Sequence, residues 1–382
     1  MAEPERKRIG LLMISDDLGV VYYLNNIVQS LSNLPEGDKP SIVLFYDKTT
    51  QKHINIFKNY SDIKFEKIIY PNLLKLYFMS TITQTNYFIN HLQSTHSLNG
   101  IFPVNDLLFK NSSKQTKLVG WITDFQHKFY PNFFSRFNRF VREYRFDNLL
   151  NHADTIILSS EDAKSHLFSF YSYSHASLRV LNFVSHANLI QCPKSDEILG
   201  KYNIYKPFFV VSNQFYKHKN HIAVIKAIKS IVARGYTNFE VVFTGKKEDY
   251  RDKTFYTSIE RMIKEYKIEN NIKILGLIPR EEQLLLLRTS LAIIQPSFFE
   301  GWNTSIEDAK TLQKQVICSD INVHKEQMGD KAYYFNPENN SQLADILINF
   351  LVKKADNLPI FDDFNVRVNQ FALNFIQIFN EN

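Results

Sequence analysis

Short apolar runs alternate with amphipathic stretches along most of the chain. Ile9–Ser15 is a compact apolar run closed by a turn signal, and Gly19–Ser32 carries helical spacing through Tyr22, Tyr23, Ile27 and Leu31. Ser41–Tyr46, Phe65–Tyr70, Leu118–Thr123, Thr155–Ser159 and Arg179–Phe183 read as strands. Asn132–Asn151 reads as a long helix with apolar residues at 133, 137, 140, 141 and 144. The second half repeats the alternation more cleanly. It predicts strands at Phe208–Ser212, Phe239–Thr244, Ile272–Gly276, Leu291–Gln295, Val316–Ser319 and Ala332–Phe335. Helices fall near 220–234, 256–268, 280–289, 303–313 and 340–353. Strands separated by helices of about 10–15 residues imply parallel sheets with right-handed crossovers. The fold class is α/β, with two doubly wound Rossmann-like domains facing each other across a cleft. They span 1–190 and 207–360, joined by a polar, proline-containing linker at 191–206, and an amphipathic segment, Phe364–Phe379, ends the chain.

Composition narrows the function classes. With 382 residues, 44% hydrophobic and 22% charged, the chain can bury two sizeable cores, which excludes disorder, collagen and coiled coil as overall descriptions. Forty-five basic against 39 acidic residues leave +6, too mild for a dedicated nucleic-acid binder. A nucleotide, a phosphate or an anionic membrane surface stays compatible with that charge. Cys192 and Cys318 lie far apart and build neither a disulfide framework nor a CxxC metal pair, which fits a reducing compartment. No apolar run approaches the ~20 residues that span a bilayer. The start MAEPERKR-IGLLMIS superficially resembles a signal peptide, but its apolar part has seven residues and no small-residue cleavage site, so it reads as a first strand. A cytoplasmic protein, soluble or peripherally attached, is expected.

Several motifs are missing from the sequence. SDDLG after the first strand holds one glycine, so the dinucleotide fingerprint is absent, as are a P-loop, a GxSxG elbow and any Asp-x-Asp pair. His218 and His221 are three apart but have no carboxylate or cysteine set nearby, and they read as a solvated helix face. Two segments carry chemistry. PSFFEGWNTSIEDAK, from Pro296, follows a buried strand and opens a helix, where ligands of open α/β sheets bind. Glu300 sits in that turn beside Gly301, and Asn303, Thr304 and Ser305 begin the helix with N–H groups suited to an anion. Asp308, eight positions after Glu300, can take two hydroxyls of a sugar or ribose. The same spacing also fits a helix with acidic residues in its first turns, favoured by the dipole. VVSNQFYKHKNH, from Val210, likewise ends a strand and enters a helix; Lys217 and Lys219 make a positive site there, or a plain solvated basic turn.

Taken in order, SNQFYKHKNH, FTGKKEDY, LGLIP and PSFFEGWNTSIEDAK resemble the nucleotide-binding domain of retaining glycosyltransferases of the GT-B fold, family 4, over about 207–355. GWITDFQHKFYPNFFS and LGVVYYLNNIVQSL resemble that family's acceptor-side domain. The resemblance implies that 361–382 crosses back onto the first domain. It implies a donor-sugar contact for Glu300, ribose hydroxyls for Asp308 and phosphate binding for Lys219. The usual arginine five positions before Lys219 is Gln214 here, which weakens the cationic clamp unless Lys217 compensates. Gly19 matches the donor-side loop glycine without its usual glycine neighbours, His127 the histidine near the reacting sugar, and Leu277 with Ile278 the segment that holds the base.

The activity implied is transfer of a sugar, with retention, from a nucleotide sugar to a hydroxyl of a glycan or lipid-linked acceptor, in bacterial surface polysaccharide or lipopolysaccharide assembly. No metal and no further cofactor is expected. His127 and Glu300 are the catalytic candidates, as positioning and electrostatic groups. Gly19, Gln214, Lys217, Lys219, Leu277, Asn303, Thr304, Ser305 and Asp308 are the donor-binding candidates. A nucleotide-sugar epimerase or hydrolase on the same fold, or a degenerate non-catalytic scaffold, are the alternatives. The stretch 132–151 interleaves Arg136, Arg139, Arg142 and Arg145 with aromatics, which suits an anionic membrane surface at the cytoplasmic face or a helix packing its apolar stripe on the first sheet.

Overall fold

The computed structural model describes residues 6–58, 60, 63–68, 78–80, 82–83, 85–104, 116–187, 194–249, 251–252, 254–352 and 361–381. The expected strand end 69–70, the linker start 191–193 with Cys192, and the helix end 353 lie outside them. The chain divides into two units, Met1–Val184 with Asp363–Asn382, and Ser185–Asp362.

The first unit holds a seven-stranded parallel sheet ordered β3-β2-β1-β4-β5-β6-β7. Its strands are β1 (Arg8–Met13), β2 (Ser41–Tyr46), β3 (Ile63–Lys67), β4 (Gly100–Phe102), β5 (Lys117–Ile122), β6 (Thr155–Leu158) and β7 (Ser177–Val180). Helix α1 (Leu18–Ser32) follows β1 and is capped by Asp17, whose carboxylate accepts the Gly19 N–H. Helices α2 (Tyr87–His96), α3 (Gln126–Phe129), α4 (Arg136–His152) and α5 (Glu161–Phe170) complete the crossovers described. The last helix of the chain, Phe364–Asn380, packs in this unit: Phe371 lies against Tyr23, and Phe375 meets Phe102 edge-on at 5.6 Å. Tyr23 in turn stacks on Trp121 at 4.1 Å.

The second unit holds a six-stranded parallel sheet ordered β10-β9-β8-β11-β12-β13. These strands are β8 (Phe208–Ser212), β9 (Glu240–Thr244), β10 (Ile272–Gly276), β11 (Ile293–Gln295), β12 (Val316–Ser319) and β13 (Tyr333–Phe335). Parallel strands covered on both faces read as continuous apolar runs. In β8, Phe209 and Val211 enter one core while Phe208 and Val210 enter the other. Helices α6 (Ser195–Lys201), α7 (His221–Ala233), α8 (Phe255–Tyr266), α9 (Arg280–Thr289), α10 (Thr304–Thr311), α11 (Asn322–Met328) and α12 (Asn340–Val352) cover the sheet; with these named, Phe364–Asn380 is α13.

Three expectations need correction. The segment 191–206 is not a polar linker where it is described: α6 forms there, with Ile198 and Ile204 buried in the second unit's core. The long helix begins at Arg136, not Asn132, because the Ser135 hydroxyl caps it and Pro131–Phe133 makes a separate 3₁₀ turn. Its apolar stripe does not pack on the sheet; only Phe146, Leu149 and Leu150 are buried.

Candidate functional site

In both sheets the strand order reverses beside the first strand, between β1 and β4 and between β8 and β11. Doubly wound sheets bind ligands outside the carboxyl ends of their strands at that switch point. In the second unit the chain leaves β8 through Ser212–Tyr216 and a 3₁₀ turn at Lys217–Lys219, then enters α7 through Asn220 in the left-handed region. It leaves β11 through Pro296–Trp302 and enters α10, capped by the Asn303 carboxamide oxygen, which accepts the Ile306 N–H at 3.1 Å. Gly245, just after β9 at φ +126°, lets the backbone pass here: a Cβ would stand 2.3 Å from the Asn213 carbonyl oxygen.

These turns bring Lys219 and Glu300 together. The Lys219 ammonium donates to both Glu300 oxygens, at 2.7 and 2.9 Å. Asn303 Nδ2 donates to Glu300 Oε1 at 3.1 Å and to Gln295 Oε1 at 3.2 Å. Asn213 Nδ2 also donates to Gln295 Oε1, at 2.8 Å. Ser305 is buried and its hydroxyl donates to the Ser212 carbonyl, tying α10 to the end of β8. Thr304 is exposed at the first turn of α10. Gln214 is half-buried between Asn213 and Phe215, on the loop that leads to Lys219. Leu277 is exposed at the end of β10. Four predicted residues, Lys219, Glu300, Asn303 and Ser305, thus meet at one set of strand ends, with Gln214 on the adjoining loop and Thr304 at the rim.

Two others go elsewhere. Lys217 does not join Lys219: it pairs with Asp252 at 2.6 Å, and that hydrogen bond holds the Asp252 carboxyl down at about 2. Asp308 is fully buried, not open to a ribose. Arg280 grips both of its oxygens, Nη1 to Oδ2 at 2.8 Å and Nη2 to Oδ1 at 2.5 Å, and the Ser185 hydroxyl donates to Oδ1. Position 308 lies on the inward side of α10, where a carboxylate needs a fixed countercharge. Its neighbour Glu307 is buried too, bonded by Lys310 and Gln327.

The histidines read as a solvated face are buried. His221 stacks on Phe215 at 4.3 Å, and burial pushes its pKa down to about 3. Burial, and then the Lys219 and Arg251 charges, push His218 down as well. Sequence reading missed Gln295, Asn213, Arg280 and His324. A glutamine closing the apolar run of β11 was the available signal for Gln295. His324 is wholly buried; its Nδ1 lies 3.0 Å from the Ser319 carbonyl oxygen, and burial lowers its pKa to about 4 against the raising pull of Glu300.

His127 and Gly19 belong to the first unit. Gly19 is exposed in the first turn of α1. His127 is buried on α3, edge-on to Phe146 at 5.4 Å, with Nε2 2.9 Å from Glu143. Burial and then the Arg142 charge lower its pKa, so the ring is neutral at pH 7 and donates from Nε2. Glu143 also takes the Lys128 ammonium and the Tyr171 hydroxyl, at 2.7 Å each. Among the described residues, no group of three or more His, Cys, Asp or Glu side chains is placed to hold a metal ion, and no helix is long and apolar enough to cross a membrane.

Residues 194–358 match the family model of glycosyl transferases group 1. No curated protein matches the chain in sequence. Among solved structures, sucrose-phosphate synthase from Thermosynechococcus elongatus superposes with TM-score 0.70 at 14% identity, covering 98% of each chain. Anabaena HepE in complex with UDP-glucose gives 0.68 at 15%, covering 97% of this chain and 99% of that one. WaaG, a glycosyltransferase involved in lipopolysaccharide biosynthesis, gives 0.60 at 10%, covering 95% of each. The chain therefore has the GT-B fold, and its second unit carries a glycosyl transferases group 1 domain around the switch point that holds Lys219 and Glu300.

Proposed function

We propose that this chain is a retaining glycosyltransferase that moves a sugar from a nucleotide-sugar donor to a hydroxyl of a glycan or lipid-linked acceptor. We place the reaction in bacterial surface polysaccharide or lipopolysaccharide assembly, at the cytoplasmic face of the inner membrane. The observation that carries this reading is the Lys219–Glu300 pair at the switch point of a glycosyl transferases group 1 domain. The UDP-glucose complex of HepE and the lipopolysaccharide role of WaaG support the donor and acceptor classes by likeness of fold.

Glycosyl transfer builds positive charge at the anomeric carbon and negative charge on the departing diphosphate. The protein's main task is to stabilise that leaving charge in a site fixed in advance. Lys219, with the first turn of α10, meets the diphosphate without a metal. The donor exchanges partners with the pair: the diphosphate takes Lys219, and Glu300, still held by Asn303, turns to the sugar hydroxyls. The acceptor hydroxyl attacks from the face the diphosphate leaves, with no protein nucleophile, and its proton passes to the departing diphosphate oxygen. Gln214 stands where a second cation is usual, so Lys219 carries more of the phosphate charge.

A thermal-shift screen against nucleoside diphosphates and their sugars tests this. At 100 times the dissociation constant a ligand adds about 2.7 kcal/mol, a shift on the order of 5–10 °C. Lys219→Ala is expected to lower donor turnover about 100- to 1000-fold, and because it strands the Glu300 carboxylate, turnover is compared below the variant's own unfolding temperature. Near-normal turnover in that variant sinks the assignment. Donor consumed equally fast with no acceptor points to a hydrolase, and no shift with any nucleotide points to a scaffold.

A further inference from the structure

Helix α11 packs beside the site, and the donor chemistry assigns it nothing. It carries Gln327, buried, one turn on from the buried His324. The Gln327 carboxamide grips both backbone groups of Asn303. Its Oε1 accepts the Asn303 N–H at 3.2 Å, and its Nε2 donates to the Asn303 carbonyl oxygen at 2.9 Å. Nε2 also donates to Glu307 Oε1 at 2.9 Å, an oxygen that the Lys310 ammonium shares. A backbone N–H only donates and a backbone carbonyl only accepts, so these partners leave one orientation of the amide. The same accounting fixes Asn303. Its Oδ1 accepts the Ile306 N–H, so its Nδ2 faces Glu300 and Gln295. The Glu300 carboxylate is aimed through two amides in series: Gln327 sets the Asn303 backbone, and Asn303 sets Glu300.

We propose that Gln327 is a positioning residue for the donor sugar: it holds Asn303 so that Glu300 keeps its direction once the diphosphate has taken Lys219. This role rests on the donor reading above and deepens it. Two side chains fix Glu300 as the pair stands, Lys219 and Asn303. Partner exchange removes the first and leaves Asn303 to aim the carboxylate. Asn303 is held on its helix side by the cap of α10, where its carbonyl also accepts the Glu307 N–H at 3.2 Å. Its own N–H lies before the helix, in the Trp302–Asn303 peptide that leads back to Glu300, and that N–H is the group Gln327 takes. A rotation of that peptide would swing Glu300 while α10 stayed in place. The side-chain bonds of Gln327 reach Asn303 and Glu307, not Lys219, so its influence falls on the sugar and spares the diphosphate. Reacting groups misplaced by about 1 Å can lose 100-fold in rate, so a distant amide that sets this angle matters to turnover.

The test compares the full wild-type chain with Gln327→Met, which keeps the side chain's length and loses the amide. The probes are the nucleoside diphosphate that stabilises the chain most, and its glucose and galactose esters, which differ in the direction of one hydroxyl. Dissociation constants are measured for all three, and diphosphate release is timed from the two esters. The variant is expected to bind the bare diphosphate nearly as wild type does. Its kcat for release falls roughly 10- to 100-fold. The wild-type preference between the two sugars shrinks several-fold toward none, because the carboxylate that reads their hydroxyls is no longer held. Both the preference and the dissociation constants are independent of the share of protein that is folded, so lowered stability does not imitate the result. If Gln327→Met yields no folded protein, Gln327→Asn is read the same way, since its amide is one methylene too short to span both groups of Asn303. Unchanged kcat and unchanged preference in an active chain overturn the role of Gln327 and leave the donor reading standing. A bare-diphosphate affinity that falls as steeply as kcat also overturns it, because the substitution then disorders the whole site. A wild-type chain that binds no nucleoside diphosphate sinks the donor reading, and this role with it.

Discussion

At its switch point the second unit sets Lys219 against Glu300, with side chains 18% and 8% exposed, and backs them with buried Asn303, Gln295 and His324. At the matching place the first unit sets Asp16, with a side chain 48% exposed, against Lys52 and His53. The two sheets share one strand order over their first six strands. Topology therefore places the crevice, and burial decides what it is worth. Solvated pairs like Asp16–Lys52 contribute little, because water screens them. Charges withdrawn from water, as in the second unit, must each have a partner, and the partner's loss is expensive.

Arg280→Ala exploits that contrast most strongly. It strands Asp308 without countercharge, and about 3–5 kcal/mol of second-unit stability should go. Lys52→Ala should leave the first unit's stability nearly unchanged. Trp121 and Trp302 fall one in each unit, so single-tryptophan variants followed by fluorescence report the units separately. Equal losses from the two substitutions would erase the comparison.

Acid should separate the units next. His221 and His324 are buried with pKa values pushed down to about 3 and about 4. The unfolded chain takes up their protons below about 6.5 while the folded chain does not. Second-unit stability is therefore full above that pH and falls as pH drops toward 4, by about 1.4 kcal/mol per pH unit for each histidine. A second-unit unfolding temperature that stays flat from pH 7 to 5 would mean that these rings are reached by water.

Glu143→Ala asks whether the first unit has a buried polar knot of its own. It removes the common partner of His127, Lys128 and Tyr171, and a loss of about 1–2 kcal/mol is expected in that unit alone. The smallest expected effect is at Phe137→Ser, within about 0.5 kcal/mol of wild type by denaturant unfolding, because the ring is already in water. A larger loss would show that the ring packs in solution.

The sequence made the second unit more legible than the first, for a physical reason. Strands such as β8, buried on both faces, are unbroken apolar runs, and Phe208–Ser212 could be read without error. The three-residue β4, Gly100–Phe102, is too short to show a period, and α5 is mostly exposed, so neither was foreseen. At the site, Glu300, Asn303 and Lys219 were legible because they follow strand ends. Side-chain direction was not. Nothing in KHK tells that Lys217 turns to Asp252 while Lys219 turns to Glu300. Nor could the exposure of Phe137 and Phe140 be told from spacing alone, since a helix stripe reads alike whether it meets a sheet or the solvent.

The last helix has a consequence measured in time. Phe371, Phe375 and Phe379 complete the first unit's core, with the Phe379 ring standing where a side chain on Gly100 would be. The 178 residues Ser185–Asp362 are made in between. At about 5–20 residues per second, the ribosome leaves Tyr23 and Phe102 without their closing helix for roughly 10–40 s. The second unit, contiguous in sequence, has all of its own strands by then. The part made first is thus the part finished last.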